Sequence, residues 1–292
     1  MRIAIYSKKI TKQTIPVFQR FFAICERFGW SIVLEKVLKE QLIKKANLGL
    51  TADEFTRHED FHNGIDLAFS IGGDGTFLKT VSYIRNSQVP ILGINLGRLG
   101  FLANIGDAFF EEAMELIFQK RYEYQQRSLI RVETERELFG NDNVAMNEVA
   151  LLKKDTSSMI TVHAYLDDKY LNSYWADGLI VATPTGSTAY NLSCGGPIIT
   201  PGCQVHILTP VAPHNLNVRP VVVPDKMPIR LSVEGRERNY LVSLDGVSKN
   251  IHQREEVLIR KAEYMINVIK LEDTNFLDTI RNKMLWGLDS RN

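Results

Sequence analysis

Gly72-Gly73-Asp74-Gly75-Thr76 is the stretch of this sequence whose residue types point most directly to chemistry. Glycines let phosphate oxygens approach backbone N–H groups that a Cβ would screen. The run stands between a strand-like stretch, Asp66–Ile71, and a helical pattern through Phe77, Leu78, Val81 and Ile84. A glycine-rich turn leading from a strand into a helix sets its amides at the positive end of the helix dipole, as in a phosphate cradle. Gly72, Gly73, Gly75 and Thr76 are therefore the candidate phosphate-binding residues. Asp74 is the exception, because a carboxylate repels phosphate. Two tasks suit it: accepting the proton of an attacking hydroxyl, or holding a divalent metal that bridges phosphates. Both belong to phosphoryl transfer. An Asp-Gly pair is also the commonest hairpin turn, but a hairpin needs a second strand and a helical pattern follows here. Lys79, one turn into that helix, either reaches a phosphate or belongs to a solvated face. Arg98, between Gly97 and Gly100, has the same two readings.

A second concentration of polar residues runs from Trp175 to Thr200 (WADGLIVATPTGSTAYNLSCGGPIIT). An apolar strand, LIVAT, leads into Pro184–Tyr190, where hydroxyls, glycine backbone and one aromatic ring lie together. Gly195-Gly196-Pro197 closes the run. Such a segment could stack a nucleobase on Tyr190 and bond its edge through Thr188 or Ser193. It could equally be a β-loop whose hydroxyls cap its own backbone. Asp177 is acceptor-only when ionised and suits ribose hydroxyls or an amide. His58-Glu59-Asp60-Phe61-His62 matches the H-E-x-x-H zinc-protease pattern. No third ligand follows at a recognised spacing and Asn63-Gly64 ends any helix, so a polar loop is expected. No metal ligands are assigned. His163, His206, His214 and His252 are scattered. Cys25, Cys194 and Cys203 are an odd number at no metal-like spacing, and read as packing residues with no disulfide framework.

The elements that must position these groups follow from periodicity. Arg2–Ser7 is an apolar strand. Thr14 is set to cap a helix that begins at Ile15-Pro16, carries Phe18, Phe21, Phe22, Cys25 and Phe28, and ends at Gly29. Ser31–Val37 is the next strand, with a polar helix over Lys39–Leu48. Val89–Asn95 is a buried-type strand, and Asp107 caps a helix with Phe110, Met114, Ile117 and Phe118. Strands alternating with helices predict a parallel sheet covered on both faces. From Arg121 to about Arg260 only short β-type runs occur, with no convincing amphipathic helix, which predicts an all-β second domain. The tail adds a strand, MINVIKL, and a helix with Phe276, Leu277, Ile280, Met284 and Leu288 on one stripe, which suits the first domain. The expected division is therefore 1–122, an α/β nucleotide-binding domain on which 272–292 packs, and 123–271, a β-rich domain.

Composition narrows the partners. The 292 residues carry 35 Lys+Arg against 34 Asp+Glu, a net charge of +1. No global basic field exists to hold nucleic acid or an anionic membrane, so neither partner is expected. Hydrophobic residues at 45% and charged residues at 24% argue against disorder. The opening MRIAIYSKKITKQ is too short and too charged for a signal peptide, and the apolar runs fall short of the ~18 residues of a membrane span. A cytoplasmic protein with reduced thiols is expected.

In chain order, GGDGT (72–76), NLGRLGFL (95–102), Asn147-Glu148, DGLIVATPTGSTAYNLSCGGPI (177–198), PVAPHNLNVRPVVVP (210–224) and SLDG (243–246) resemble the NAD kinase family. Diacylglycerol, sphingosine and phosphofructokinase-type kinases carry turns like GGDGT. The DG…TPTGSTAY…GGP run is far more specific. The resemblance implies transfer of a phosphoryl group from ATP to the 2′-hydroxyl of the adenosine ribose of NAD, giving NADP. It implies an α/β domain and an NAD-binding β domain with the site between them, in a homodimer or homotetramer. Asp74 would orient and deprotonate the hydroxyl, with Gly75 and Lys79 also beside the NAD. Asn147 and Glu148 would hold the NAD ribose and a nearby phosphate, and Asp177 the nicotinamide end. Thr188, Ala189, Tyr190, Asn191, Leu192 and Ser193 would frame the adenine and its ribose, and Ala212 would offer a backbone contact. Mg²⁺ is expected on the nucleotide phosphates with few protein ligands. Trp175 stands where the family often has Arg, and Val247 where some members have Gln, departures that bear on substrate contacts. Two other readings compete. One is a lipid or sugar kinase with the same turn, although no acyl pocket or membrane-facing surface is visible. The other is a non-catalytic dinucleotide sensor, which would have no reason to keep a carboxylate among phosphates.

Overall fold

The computed structural model describes residues 1–46, 49, 51–97, 100–154, 159–272 and 274–285. Leu48, Arg98, Leu99 and Leu288, which belong to expected elements or motifs, lie outside the described residues. The chain forms two compact units, Met1–Gln126 with Ile266–Asn292, and Arg127–Met265. Among the described residues no helix is long and apolar enough to cross a membrane.

The first unit opens with β1 (Arg2–Tyr6), α1 (Ile15–Arg27), β2 (Ser31–Glu35), α2 (Lys36–Ala46), β3 (Asp53–Phe55), β4 (Leu67–Ile71), α3 (Asp74–Ile84), β5 (Ile91–Ile94), α4 (Phe110–Phe118) and β6 (Tyr122–Arg127). Pro16 sits in the first turn of α1, where its missing N–H costs nothing, and Gly29 follows the helix at φ +65°, a left-handed position that favours glycine. Thr14 occupies the cap position but its hydroxyl bonds backward, donating to the Thr11 carbonyl at 3.1 Å. Asp107 does not cap α4. It lies in a 3-10 turn, Asp107–Phe109, and pairs with Arg20 of α1, an ion pair that spacing along one helix cannot reveal. Phe118 is exposed on α4 and stacks on Phe28, ring centroids 4.2 Å apart.

The second unit holds β7 (Ile130–Thr134), β8 (Val144–Ala145), β9 (Glu148–Leu152), β10 (Ile160–Leu166), β11 (Lys169–Ala176), β12 (Gly178–Ala182), α5 (Tyr190–Ser193), β13 (Val205–Val211), β14 (Val221–Pro224), β15 (Ile229–Glu234), β16 (Asn239–Leu244), β17 (Val247–His252) and β18 (Val257–Lys261). The strands form two six-stranded sheets, β11-β10-β15-β18-β7-β8 and β14-β13-β12-β9-β16-β17. Alternating residues such as Ile160, Val162 and Ala164 of β10 and Val149 and Leu151 of β9 enter one shared core with Leu179, Val181, Tyr240 and Val242. The Gly186–Thr188 segment, read as loop, is a 3-10 turn, and α5 is a single helical turn, too short to show a period.

The chain then returns to the first unit through β19 (Ile266–Leu271) and α6 (Phe276–Met284). Ile280 is buried while Leu277 is exposed. The first unit's sheet runs β3-β2-β1-β4-β5-β19-β6, and β3, β2, β1, β4, β5 and β19 pair in parallel. Because β6 and β19 both join this sheet, the units part at 126/127 and 265/266, not at the 122/123 and 271/272 suggested by composition. Strand composition does not say which sheet receives a strand. The order reverses between β1 and β4, and ligands of open parallel sheets bind beyond the carboxyl ends of strands at such a switch point. The Gly72–Thr76 turn leaves β4 at that end. Its foundation is an aromatic core in which Phe21 meets Phe69 edge-on at 5.0 Å and Phe110 at 6.1 Å.

Candidate functional site

In the first unit, Gly72 at the end of β4 donates its N–H to the Ile94 carbonyl at the end of β5, 2.8 Å away. Gly72 has φ +153°, and a Cβ there would lie 2.4 Å from Thr76 Oγ1, so its glycine is required by the turn itself. Gly73 and Gly75 differ. They are exposed, and a Cβ on either would meet no atom within 4 Å. Space is open over these two residues at the start of the eleven-residue α3, the end at which a helix dipole favours negative charge. Thr76 is buried beneath them.

Asp74 is the first residue of α3, and its carboxylate is clasped by a neighbouring loop. Oδ2 accepts from the Phe101 N–H at 2.9 Å, and Oδ1 accepts from Leu102 at 3.1 Å and Ala103 at 3.0 Å. Gly100 makes this approach possible, because a Cβ on it would lie 1.9 Å from Asp74 Oδ1. The loop is stapled to β5 by Asn95, whose Nδ2 donates to the Ala103 carbonyl at 3.2 Å and whose Oδ1 accepts from Gly97 N–H at 2.8 Å. The carboxylate thus has a structural task in addition to any chemical one. Its presence alone no longer argues against a non-catalytic relative. Lys79 is exposed, with Nζ 5.1 Å from the centre of the Tyr83 ring one turn further along α3.

His58–His62 forms a 3-10 turn against α3, not an α-helix. His58 Nδ1 donates to the Tyr83 carbonyl at 2.9 Å, and His58 Nε2 lies 3.2 Å from His62 Nε2. Among the described residues no group of three or more His, Cys, Asp or Glu side chains could hold a metal ion.

The second unit gathers its polar residues around the two ends of β12. At one end, Ala182 pairs with Glu148 of β9. Thr183 N–H donates to the Asn147 carbonyl at 2.9 Å, and Thr183 Oγ1 donates to Met146 O at 2.6 Å. Gly186 packs so tightly that a Cβ would sit 2.0 Å from the Asn147 carbonyl oxygen. The amides of Met146, Asn147 and Glu148 donate to the Asp245 carboxylate at 2.7, 2.8 and 3.1 Å. Glu148 is buried, and its Oε2 has no partner. Burial, and then the charge of Asp245, push the Glu148 carboxyl up to about 8, against a backbone hydrogen bond from Tyr190 that lowers it. Burial raises Asp245 as well, against the three amide donors that favour its ionised form.

At the other end of β12, Asp177 Oδ1 lies 2.6 Å from Lys153 Nζ, and its N–H donates to the Val211 carbonyl at 2.9 Å. Exposed Ala212 follows directly at φ +44°, an uncommon conformation for alanine. Tyr190 is partly exposed. Burial raises its phenol first, with the charges of Cys194, Asp177 and Glu148 adding to the effect, so both ends of β12 are felt at its ring. Asn191 behaves differently. It is fully buried, its Nδ2 donates to the Ser187 and Pro197 carbonyls at 2.9 and 3.2 Å, and its Oδ1 accepts from Thr209 Oγ1 at 2.6 Å. Its polar atoms serve the frame. Thr188 Oγ1 donates to Thr185 O at 3.3 Å, Ala189 and Leu192 are half-buried, and Ser193 is exposed.

Sequence reasoning missed Asp245, Lys153 and Arg127. The SLDG run marked Asp245 only as part of a motif. Lys153 is placed by strand register alone. Arg127, a buried guanidinium held 3.3 Å from Thr185 Oγ1, carries no local pattern.

Residues 3–122 match the family profile of the ATP-NAD kinase N-terminal domain, and residues 146–271 that of the ATP-NAD kinase C-terminal domain. The chain is 44% identical over 294 residues to the NAD kinase of Flavobacterium psychrophilum, with all of both chains covered. It is 42% identical over 291 residues to an NAD kinase of Bacteroides fragilis, again over the whole of both. A crystal structure of an NAD kinase from Archaeoglobus fulgidus in complex with ATP superposes with a TM-score of 0.77 at 27% identity, over 98% of this chain and 99% of that one. Yeast NADH kinase complexed with NADH shares the fold, with a TM-score of 0.86 at 22% identity over 98% and 88%.

Proposed function

The chain belongs to the NAD kinase family, and on that premise we propose that Asp74 aligns and deprotonates the 2′-hydroxyl of the adenosine ribose of NAD. The enzyme phosphorylates NAD with ATP, giving NADP. The observation that carries the assignment of Asp74 is its acceptor count. A carboxylate offers about four lone-pair sites, and the loop amides take three, two on Oδ1 and one on Oδ2. The remaining site, on Oδ2, is held in a fixed direction by the other bonds and accepts the substrate hydroxyl. As the new O–P bond forms and the bond to the leaving diphosphate breaks, the hydroxyl proton passes to Oδ2. Phosphoryl transfer depends on in-line placement and charge neutralisation more than on covalent help, so a base that arrives already aimed removes part of the orientational barrier.

Gly73 and Gly75 receive phosphate oxygens at the start of α3, where the helix dipole favours negative charge. In the second unit, Asn147 and Glu148 hold the NAD ribose and a nearby phosphate, and Glu148, protonated near neutral pH, can donate from the oxygen that lacks a partner. Asp177, steadied by Lys153, takes the nicotinamide end. Tyr190 stacks on adenine with Thr188, Ala189, Leu192 and Ser193 around it, and Ala212 offers its backbone. Asn191 contributes through the frame it holds. A divalent cation would come to this chain on the triphosphate. Mg²⁺ there would neutralise phosphate charge. The enzyme works in the cytoplasm as a homodimer or homotetramer.

The test is incubation with ATP, Mg²⁺ and NAD, read out with an NADP-specific dehydrogenase. Asp74→Asn is expected to lose ~10²–10⁴-fold in kcat, the usual worth of a general base. Near-normal turnover in that variant would reject the base. Absence of NADP formation by the parent enzyme would favour the sensor reading.

A further inference from the structure

We infer that Asp245 is a positioning residue for NAD binding: its carboxylate fixes three successive amides, Met146 to Glu148, and so aims the side chains of Asn147 and Glu148. The inference rests on the proposed reading that Asn147 and Glu148 hold the dinucleotide. Asp245 and Gly246 are the two-residue turn between β16 and β17, since Leu244 pairs with Val247. Both have positive φ, +46° and +87°, as a type I′ hairpin turn requires. An aspartate in such a turn ordinarily faces water. Here it points inward and accepts from Met146 at Oδ2 and from Asn147 and Glu148 at Oδ1.

The Asp245 N–H also donates to the Glu148 carbonyl at 3.2 Å, so the turn and the start of β9 hold each other in both directions. The left-handed backbone of Asp245 is one that glycine or asparagine would also adopt in this turn. What aspartate adds is two acceptor oxygens. The first unit repeats the device: Asp74, also followed by glycine, accepts three successive amides, Phe101 to Ala103. Each unit therefore secures a candidate substrate-binding segment with a carboxylate spread over three consecutive N–H groups.

Asp245→Asn keeps the size and one acceptor oxygen but turns an NH₂ group toward an N–H donor. It is expected to raise KM for NAD at least tenfold, with kcat and KM for ATP changed less than threefold, and to speed hydrogen exchange at the amides of 146–148. Asp245→Glu, which retains the charge but moves it by one methylene, should also raise KM for NAD. In a double-mutant cycle with Asn147→Ala, the effects on KM for NAD should be less than additive. Asp245 is only a fold-keeping residue if either soluble variant loses active enzyme while KM for NAD stays put, or if the cycle is additive. If both variants fail to accumulate, retained KM for NAD in Asp245→Ser, which keeps one hydroxyl acceptor, overturns the inference, and a raised KM supports it. A parent enzyme in which Asn147→Ala leaves KM for NAD unchanged would instead reject the underlying assignment of that corner.

Discussion

Asp74 and Gly100 work as one unit, although 26 positions separate them in the chain. A methyl group at 100 would fall 1.9 Å from Asp74 Oδ1 and force the carboxylate off its amides. Gly100→Ala is therefore expected to lower kcat toward that of Asp74→Asn. It should also cost about 1–3 kcal/mol of stability, the penalty of unsatisfied buried donors, visible as a lower denaturant midpoint. The cysteines separate by environment in the same local way. Burial pushes the Cys25 thiol up to about 12, Cys194 is half-buried and also raised by burial, and Cys203 is exposed. A thiol reagent at pH 8 should thus find one fast group in the native enzyme, and Cys203→Ser should abolish that phase. Retention of the fast phase would mean that Cys25 or Cys194 opens in solution.

At the scale of elements, the single turn α5 cannot hold itself, because four residues form too few internal bonds to offset nucleation. Asn191 supplies what the helix lacks, tying Ser187, Pro197 and Thr209 together from beneath. Asn191→Ala should cost about 1–3 kcal/mol by leaving those groups unpaired, and should raise KM for NAD through Tyr190 and not through lost substrate contact. A stable variant with an unchanged urea midpoint would contradict this. The long elements were legible because their periods are strong: Phe18, Phe21, Phe22 and Cys25 name the buried face of α1, and Gly29 its end. The Gly72–Thr76 turn was legible because a strand and a helix flank it. The framing bonds of Asn191 are not legible, because a setting among hydroxyls and glycines looks the same from sequence whether a side chain faces a substrate or the frame. Asp107 looks like a cap from sequence because its partner, Arg20, lies 87 residues away. Asp245 and Lys153 have roles fixed by strand register, which no local pattern encodes.

For the whole molecule, two buried groups set opposing responses to pH. His206 is fully buried, and burial lowers it from near 6.5 to about 4, with Asp225 raising it and Lys261 lowering it. Between those values the unfolded chain binds the proton and the folded chain does not, so this contribution is lost as pH falls from about 6.5 to 4. At about 1.4 kcal/mol per pKa unit it amounts to at most about 3.5 kcal/mol. Glu148 works the other way. Its folded value, about 8, lies above its ordinary 4.5, so the unfolded chain loses its proton first and stability falls as pH rises from about 4.5 to 8. Above pH 6.5 only Glu148 acts of the two, and below 4.5 only His206. Melting temperature should therefore decline between pH 6.5 and 8 in the parent and less in Glu148→Gln. It should decline below pH 4.5 in the parent and less in His206→Leu. Identical slopes in parent and variant would remove the group concerned from the account.

The Asp245 clasp spans 97 to 99 residues of chain, whereas the Asp74 clasp spans 27 to 29. Closing the longer loop demands that β16 has already docked beside β9, an ordering cost that comes due late in self-assembly. A ribosome-bound fragment ending before residue 245 could complete the aspartate–amide joint of the first unit's turn, yet the Met146–Glu148 corner of the second unit would remain unmade. The aim of Asn147 and Glu148 would then be set as one of the last acts of maturation.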